Sequence, residues 1–153
     1  MSPGPLTVRS IVLDSTDIRP LAEFYRQLLG LVYRAGDEPP QPGGQDPQGT
    51  DWLVLRGGDG GVQLAFQQVE SLPEATWPEG PVPQQLHLDL TVATIADLDA
   101  HHARALALGA RLLLDRHDDP DEPLYVYADP AGHPFCIFVA DPLTALTPPA
   151  LEN

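Results

Sequence analysis

One pattern of signals occurs twice in the chain, and that duplication constrains the fold more than any single motif. Residues 7–14, TVRSIVLD, are rich in β-branched side chains and predict a strand. Alternation puts Val8, Ser10, Val12 and Asp14 on one face and Arg9, Ile11 and Leu13 on the other. A helix follows: Ser15, Thr16 or Asp17 can cap it, and Pro20 suits its first turn. Leu21, Phe24, Tyr25, Leu28 and Leu29 recur at helical spacing before Gly30 stops it. Residues 31–35 predict a short strand, and the Pro- and Gly-rich residues 36–50 an exposed loop. Residues 52–56, WLVLR, and 62–68, VQLAFQQ, predict a hairpin around GGDGG.

The second half repeats that order. Residues 86–91 predict a strand with His87 in it. Thr94 or Asp97 starts a helix whose Leu98, Ala105, Leu106 and Leu108 form the buried stripe, and Gly109 ends it as Gly30 does the first. Residues 110–114 resume as a strand, RHDDPDEP reads as an acidic turn, and residues 124–128 and 134–140 pair around DPAGH. His101 and His102 fall to the solvent face of the helix, His117 to the acidic turn and His133 to the β-turn that Asp129 holds.

A βαβββ unit covers one face of its mixed sheet with its own helix and leaves the other face bare. The expectation is an α+β fold in which two such modules pair as an incomplete barrel of mixed sheet and enclose a cleft. Module one spans 7–68, a linker 69–83 and module two 84–140, together a single domain at 7–140, with 1–6 and 141–153 as tails. Trp77 lies in a linker otherwise marked by Pro and Gly, where it reads as a pin that docks the linker rather than a ligand stack.

Composition narrows the partners. A net charge of -14 argues against nucleic acid, which needs clustered Lys and Arg, and suits either solubility or a field that draws in cations. A lone cysteine, Cys136, leaves no intrachain disulfide and fits a reducing compartment. The first ten residues lack a signal-peptide pattern and no apolar run nears bilayer length, so the expected location is cytoplasmic, with no membrane partner.

The helix end FYRQLLGL, the strand HLDL, the ALALGA helix end and YVYADPAGHPFCIF together resemble the vicinal oxygen chelate superfamily. That superfamily includes glyoxalase I, bleomycin-resistance proteins and extradiol dioxygenases. The chain is most similar to the small glyoxalase-like domain proteins common in actinobacteria. The resemblance covers about residues 7 to 140 and implies the paired βαβββ fold, a homodimer and a small-molecule site in the cleft.

It also implies four metal-ligand positions, which here carry Ser10, Gln63, His87 and Cys136, a degenerate set in which serine and cysteine replace stronger family ligands. Neutral Ser and Gln are poor donors, and His87 with a Cys136 thiolate falls short of the three protein ligands of catalytic zinc. No cofactor is therefore expected, a divalent metal being the minority case; a mixed His87, Asp89, Cys136 site is its best form. The expected ligand-binding residues are Ser10, Asp14, Gln63, His87, Asp89, Cys136 and Phe138, the last as an aromatic wall. The main functional expectation is a metal-free binding protein of bleomycin-resistance type. The alternative is a glyoxalase-type lyase or isomerase with His87 as catalytic base or ligand, a dioxygenase being the weaker enzyme reading.

Overall fold

The computed structural model describes residues 3–140, so the expected tail at 141–153 lies outside the described residues. The chain is α+β and forms two units that divide between Pro73 and Glu74, inside the Pro-rich connector. Each unit carries one long helix and one open four-stranded mixed sheet rather than a closed barrel.

The first unit contains β1 (Ser10–Ser15), α1 (Ile18–Leu29), β2 (Val32–Tyr33), a 3-10 turn (Gln48–Thr50), β3 (Trp52–Arg56) and β4 (Gln63–Gln68). Its sheet runs β1-β4-β3-β2, with β1 parallel to β4 and the other neighbours antiparallel. Leu13, Phe66 and Leu53 are cross-strand partners in one row, and Ile11, Leu64 and Leu55 in the next. Five of these six are buried, as are Leu21, Phe24, Tyr25 and Leu28 of α1, and Tyr25 stacks on Phe66 with ring centroids 6.1 Å apart. Each fully buried side chain of this kind contributes about 1.5–3 kcal/mol, so this layer is the main stabiliser of the unit.

Local differences from the expected elements have physical causes. The first strand starts at Ser10, since it is hydrogen-bonded only where β4 runs beside it. Asp17 is the N-cap of α1, yet its side chain makes no cap bond. The Gln68 amide does the work instead, accepting from Ile18 N at 3.3 Å and donating to Thr16 O at 2.6 Å. At the other end Gly30 adopts φ 67°, a left-handed conformation that closes the helix by the Leu31 N–H to Arg26 O bond. The expected exposed loop at 36–50 is pinned at its start. Asp37 is buried, accepts Val54 N at 2.9 Å and pairs with Arg34, while Arg19 donates to Asp37 O and forks onto Asp46.

The second unit contains β5 (Leu88–Val92), α2 (Ile95–Leu108), β6 (Arg111–Arg116), β7 (Leu124–Ala128) and β8 (Pro134–Val139). Its sheet order, β5-β8-β7-β6, repeats the first, again with the outer first strand parallel to the last. Thr94 caps α2 by accepting from Asp97 N, and Thr94 Oγ1 donates back to the Asp97 carboxylate. Gly109, φ 113°, ends the helix.

The inward stripe of α2 differs from expectation. Leu98 and Ala105 are buried, but Leu106 is 41% exposed. In place of a leucine, His102 turns inward: its ring stacks on Tyr125 with centroids 4.1 Å apart, and Nδ1 lies 2.8 Å from Tyr127 Oη. A helix this rich in Ala has apolar residues on several sides, so the sheet selects the face that fits it, here one where an imidazole meets a phenol. His117, at the acidic turn, joins the same cluster, with Nε2 3.0 Å from Asp99 Oδ1 on α2. In the connector, Thr76 and Val82 close a short loop, and Trp77 within it is half-buried.

Candidate functional site

In each sheet one face is taken by the helix, and alternation sends the remaining side chains to the other face. In the first unit that face carries Ser10, Val12 and Asp14 of β1 beside Gln63, Ala65 and Gln67 of β4. Ser10 and Gln63 are direct cross-strand partners, both partly exposed, and Asp14 stands opposite Gln67.

In the second unit the same face carries Asp89 and Thr91 of β5 beside Cys136 and Phe138 of β8. His87 lies one residue before β5 rather than within it. Its Nε2 still comes within 3.3 Å of Asp89 Oδ1, with side-chain exposures of 41% for His87 and 57% for Asp89. On β5 the cross-strand partner of Cys136 is Asp89, which sets carboxylate beside thiol, and His87 closes the group from two residues away. Ligand atoms of His87, Asp89 and Cys136 all lie within 4.8 Å of one another. Phe138 is a half-buried neighbour of Cys136 on the same face, opposite Thr91.

Burial pushes the Cys136 thiol up to about 11; the charge on Asp89, the hydrogen bond to its carboxylate and the charge on Glu122 push the same way. At neutral pH the sulfur is therefore protonated and donates to Asp89, which makes it an unreactive nucleophile until something displaces the proton. Glu122, from the acidic turn, is the site neighbour that sequence reasoning missed; its only signal is membership of a run of acids.

The four family ligand positions do not fit a hard ion such as manganese, because a serine hydroxyl, an amide and a thiol supply no carboxylate oxygen. The trio His87, Asp89 and Cys136 fits a borderline ion better: nitrogen, oxygen and sulfur donors are the set zinc accepts, and three of them leave a position open. The expectation that no cofactor is needed thus meets a cluster able to hold one.

A concavity of about 380 Å³ lies in the first unit among Glu23, Arg26, Leu31, Val32, Tyr33, Glu38 and Pro39. It is assembled from the end of α1, the short β2 and the pinned loop, a combination no local motif announces. Burial pushes the Tyr33 phenol up to about 12, and Arg19 sits over its ring, 5.1 Å from the centroid. Glu23 is bonded to Arg26 through both oxygens, so these two charges are engaged with each other.

A duplicated βαβββ module with polar residues on its bare sheet face defines the glyoxalase, bleomycin-resistance and dioxygenase class of proteins, and the comparisons agree. The chain matches the family profile "Glyoxalase-like domain" over residues 10–138 and belongs to that family. No curated protein is significantly similar to it.

Among solved structures, a glyoxalase/bleomycin resistance protein/dioxygenase family enzyme from Burkholderia phytofirmans is 18% identical, with 85% of this chain and 95% of that chain covered and a TM-score of 0.60. A lactoylglutathione lyase from Agrobacterium tumefaciens is 20% identical, with coverage of 90% and 96% and a TM-score of 0.54. A mutant fosfomycin resistance protein from Listeria monocytogenes, complexed with Mn(II) and a dihydroxypropylphosphonic acid, is 15% identical, with coverage of 92% and 95% and a TM-score of 0.63. At these identities the likeness concerns the fold. Among the described residues no helix is long and apolar enough to cross a membrane.

Proposed function

We propose that the protein binds a small molecule on the helix-free face of its second sheet, with His87, Asp89 and Cys136 as polar contacts and Phe138 as an apolar wall. The observation that carries this reading is the open cluster itself: an imidazole and a carboxylate 3.3 Å apart, both substantially exposed, beside a half-buried thiol. Exposed polar groups converging next to an aromatic ring are the usual furniture of a ligand site. With the exposed Asp89 carboxyl beside the Phe138 ring and the chain at -14, the favoured ligand class is cationic or aromatic. Ser10, Gln63 and Asp14 are proposed as polar ligand-binding groups of the first sheet's own bare face, and residues 7–140 as one glyoxalase-like domain. The protein is read as a cytoplasmic homodimer, a reading supported by family membership and a single cysteine.

Calorimetry of the full chain against a panel of cationic and aromatic natural products tests the proposal. Saturable binding that is lost in Asp89→Asn and His87→Ala supports it. Heats that stay at dilution level across the panel end it.

A second reading has one observation in its favour. The carboxylate of Asp89 sits where it can orient the His87 imidazole, the arrangement a general base needs for proton abstraction next to a carbonyl. In a lyase or isomerase of glyoxalase type, His87 would take and return that proton while Asp89 holds the ring. Turnover of a thiohemiacetal substrate that disappears in His87→Ala but survives in His87→Gln would count against the base role.

A further inference from the structure

We infer that His87, Asp89 and Cys136 form a self-contained site for a zinc-like divalent cation, carried wholly by the second module. It goes beyond ligand binding, since it assigns an ion, and it departs from a four-position metal centre because three donors on one sheet suffice.

The frame is rigid where it matters. Asp89 and Cys136 are cross-strand partners in the parallel β5–β8 pair, so their side chains leave adjacent backbones in the same direction. His87 stands two residues before Asp89 and points to that same side, with Nε2 already 3.3 Å from the carboxylate. Tetrahedral zinc with bonds of about 2.0–2.3 Å places its ligand atoms roughly 3.3–3.8 Å apart. Here all three ligand atoms lie within 4.8 Å of one another, and an ion would draw them the rest of the way together.

Donor chemistry decides which ion enters. An imidazole nitrogen, a carboxylate oxygen and a sulfur suit zinc and cobalt, whereas manganese and magnesium prefer an all-oxygen shell. Exposure of His87 and Asp89 gives the ion a way in, and the charges of Asp89 and Glu122 near the sulfur attract it. The ion displaces the thiol proton to solvent, forms the metal–sulfur bond and keeps one coordination position for water or ligand. No electron transfer is involved.

The experiment uses the full-length, metal-free, untagged chain and cobalt(II) alone, followed by ultraviolet and visible absorption. The expected result is saturation at one cobalt per chain, with the strong visible bands of a four-coordinate ion and an ultraviolet thiolate-to-cobalt band. Zinc then bleaches both, and manganese does not. Cys136→Ser removes the ultraviolet band, and His87→Ala and Asp89→Asn each weaken binding by at least about tenfold, since even the loss of an outer-shell partner costs that much. Thermal unfolding of each variant verifies its fold, and the three substitutions supply independent readings.

A weak, pale six-coordinate spectrum overturns the assignment. So does an ultraviolet band that survives Cys136→Ser, or equal displacement by manganese. Because no organic ligand is present, failure here leaves the small-molecule reading standing. A silent ligand panel, conversely, leaves the cobalt result intact.

Discussion

The carboxylate of Asp37 accepts the backbone N–H of Val54 at 2.9 Å while also pairing with Arg34, so a loop residue 3% exposed satisfies a donor on a central strand. Removing it strands a buried N–H and releases an arginine. Asp37→Ala is expected to cost about 1–3 kcal/mol, chiefly from the buried Val54 N–H left without an acceptor, since the Arg34 side chain is 34% exposed and can turn to water. Urea unfolding should show the midpoint fall at unchanged slope, and Asp37→Asn, which keeps one acceptor oxygen, should fall less.

The contact of His102 Nδ1 with Tyr127 Oη, 2.8 Å, ties α2 to the middle of its sheet. Tyr127→Phe keeps the ring and removes the hydroxyl, for an expected loss of about 1 kcal/mol. His102→Ala also deletes the stack on Tyr125 and should cost more. Equal losses from the two variants would mean that the stack contributes nothing.

His117 links the acidic turn to α2, and its pKa is raised above the ordinary value, chiefly by the hydrogen bond to Asp118 and then by Asp99. A raised folded pKa means that the native state holds this proton more tightly than the unfolded chain does. The stabilisation is fully present below the unfolded value of about 6.5 and is lost as pH rises through the folded one. NMR titration should place the His117 midpoint above that of an exposed histidine, and Asp118→Asn should bring it down. A midpoint at or below the ordinary value would refute the pairing.

Cys136 should alkylate slowly. With the thiol pushed up to about 11 from 9.0, the thiolate fraction at pH 8 falls. That fall is about a hundredfold, and the greater nucleophilicity of the more basic thiolate recovers about tenfold of it, leaving iodoacetamide about tenfold slower than with an ordinary cysteine. Asp89→Asn should speed the reaction, because it removes a neighbouring negative charge. An unaltered rate in that variant would show that burial alone sets the reactivity.

The duplicated order of elements is legible in the sequence because its signals are local. Gly30 and Gly109 stop their helices by a left-handed conformation that needs no distant partner, and GGDGG and DPAGH turn their hairpins unaided. Alternation likewise puts Cys136 and Phe138 on one strand face. The remainder depends on distance along the chain. The register that sets Cys136 against Asp89 joins the first and last strands of a module with no turn between them to count from, so nothing local specifies it. Asp37 reads as one more polar residue in a Pro- and Gly-rich loop until Val54 comes alongside. His102 reads as solvent-facing because its partners, Tyr125 and Tyr127, are on a strand more than a helix away.

The parallel pairing of first strand with last sets an order of events during synthesis. β8 bonds to both β5 and β7, and β5 has no other neighbour in its sheet. While a ribosome is still adding residues before Pro134, the backbone of β5 waits unpaired and Asp89 faces no thiol. Emergence of six residues, Pro134–Val139, then joins both halves of the sheet at once. A nascent chain stalled a few codons short of that strand should present β5 and the bare edge of β7 to chaperones, and one stalled well after it should have both bound to β8.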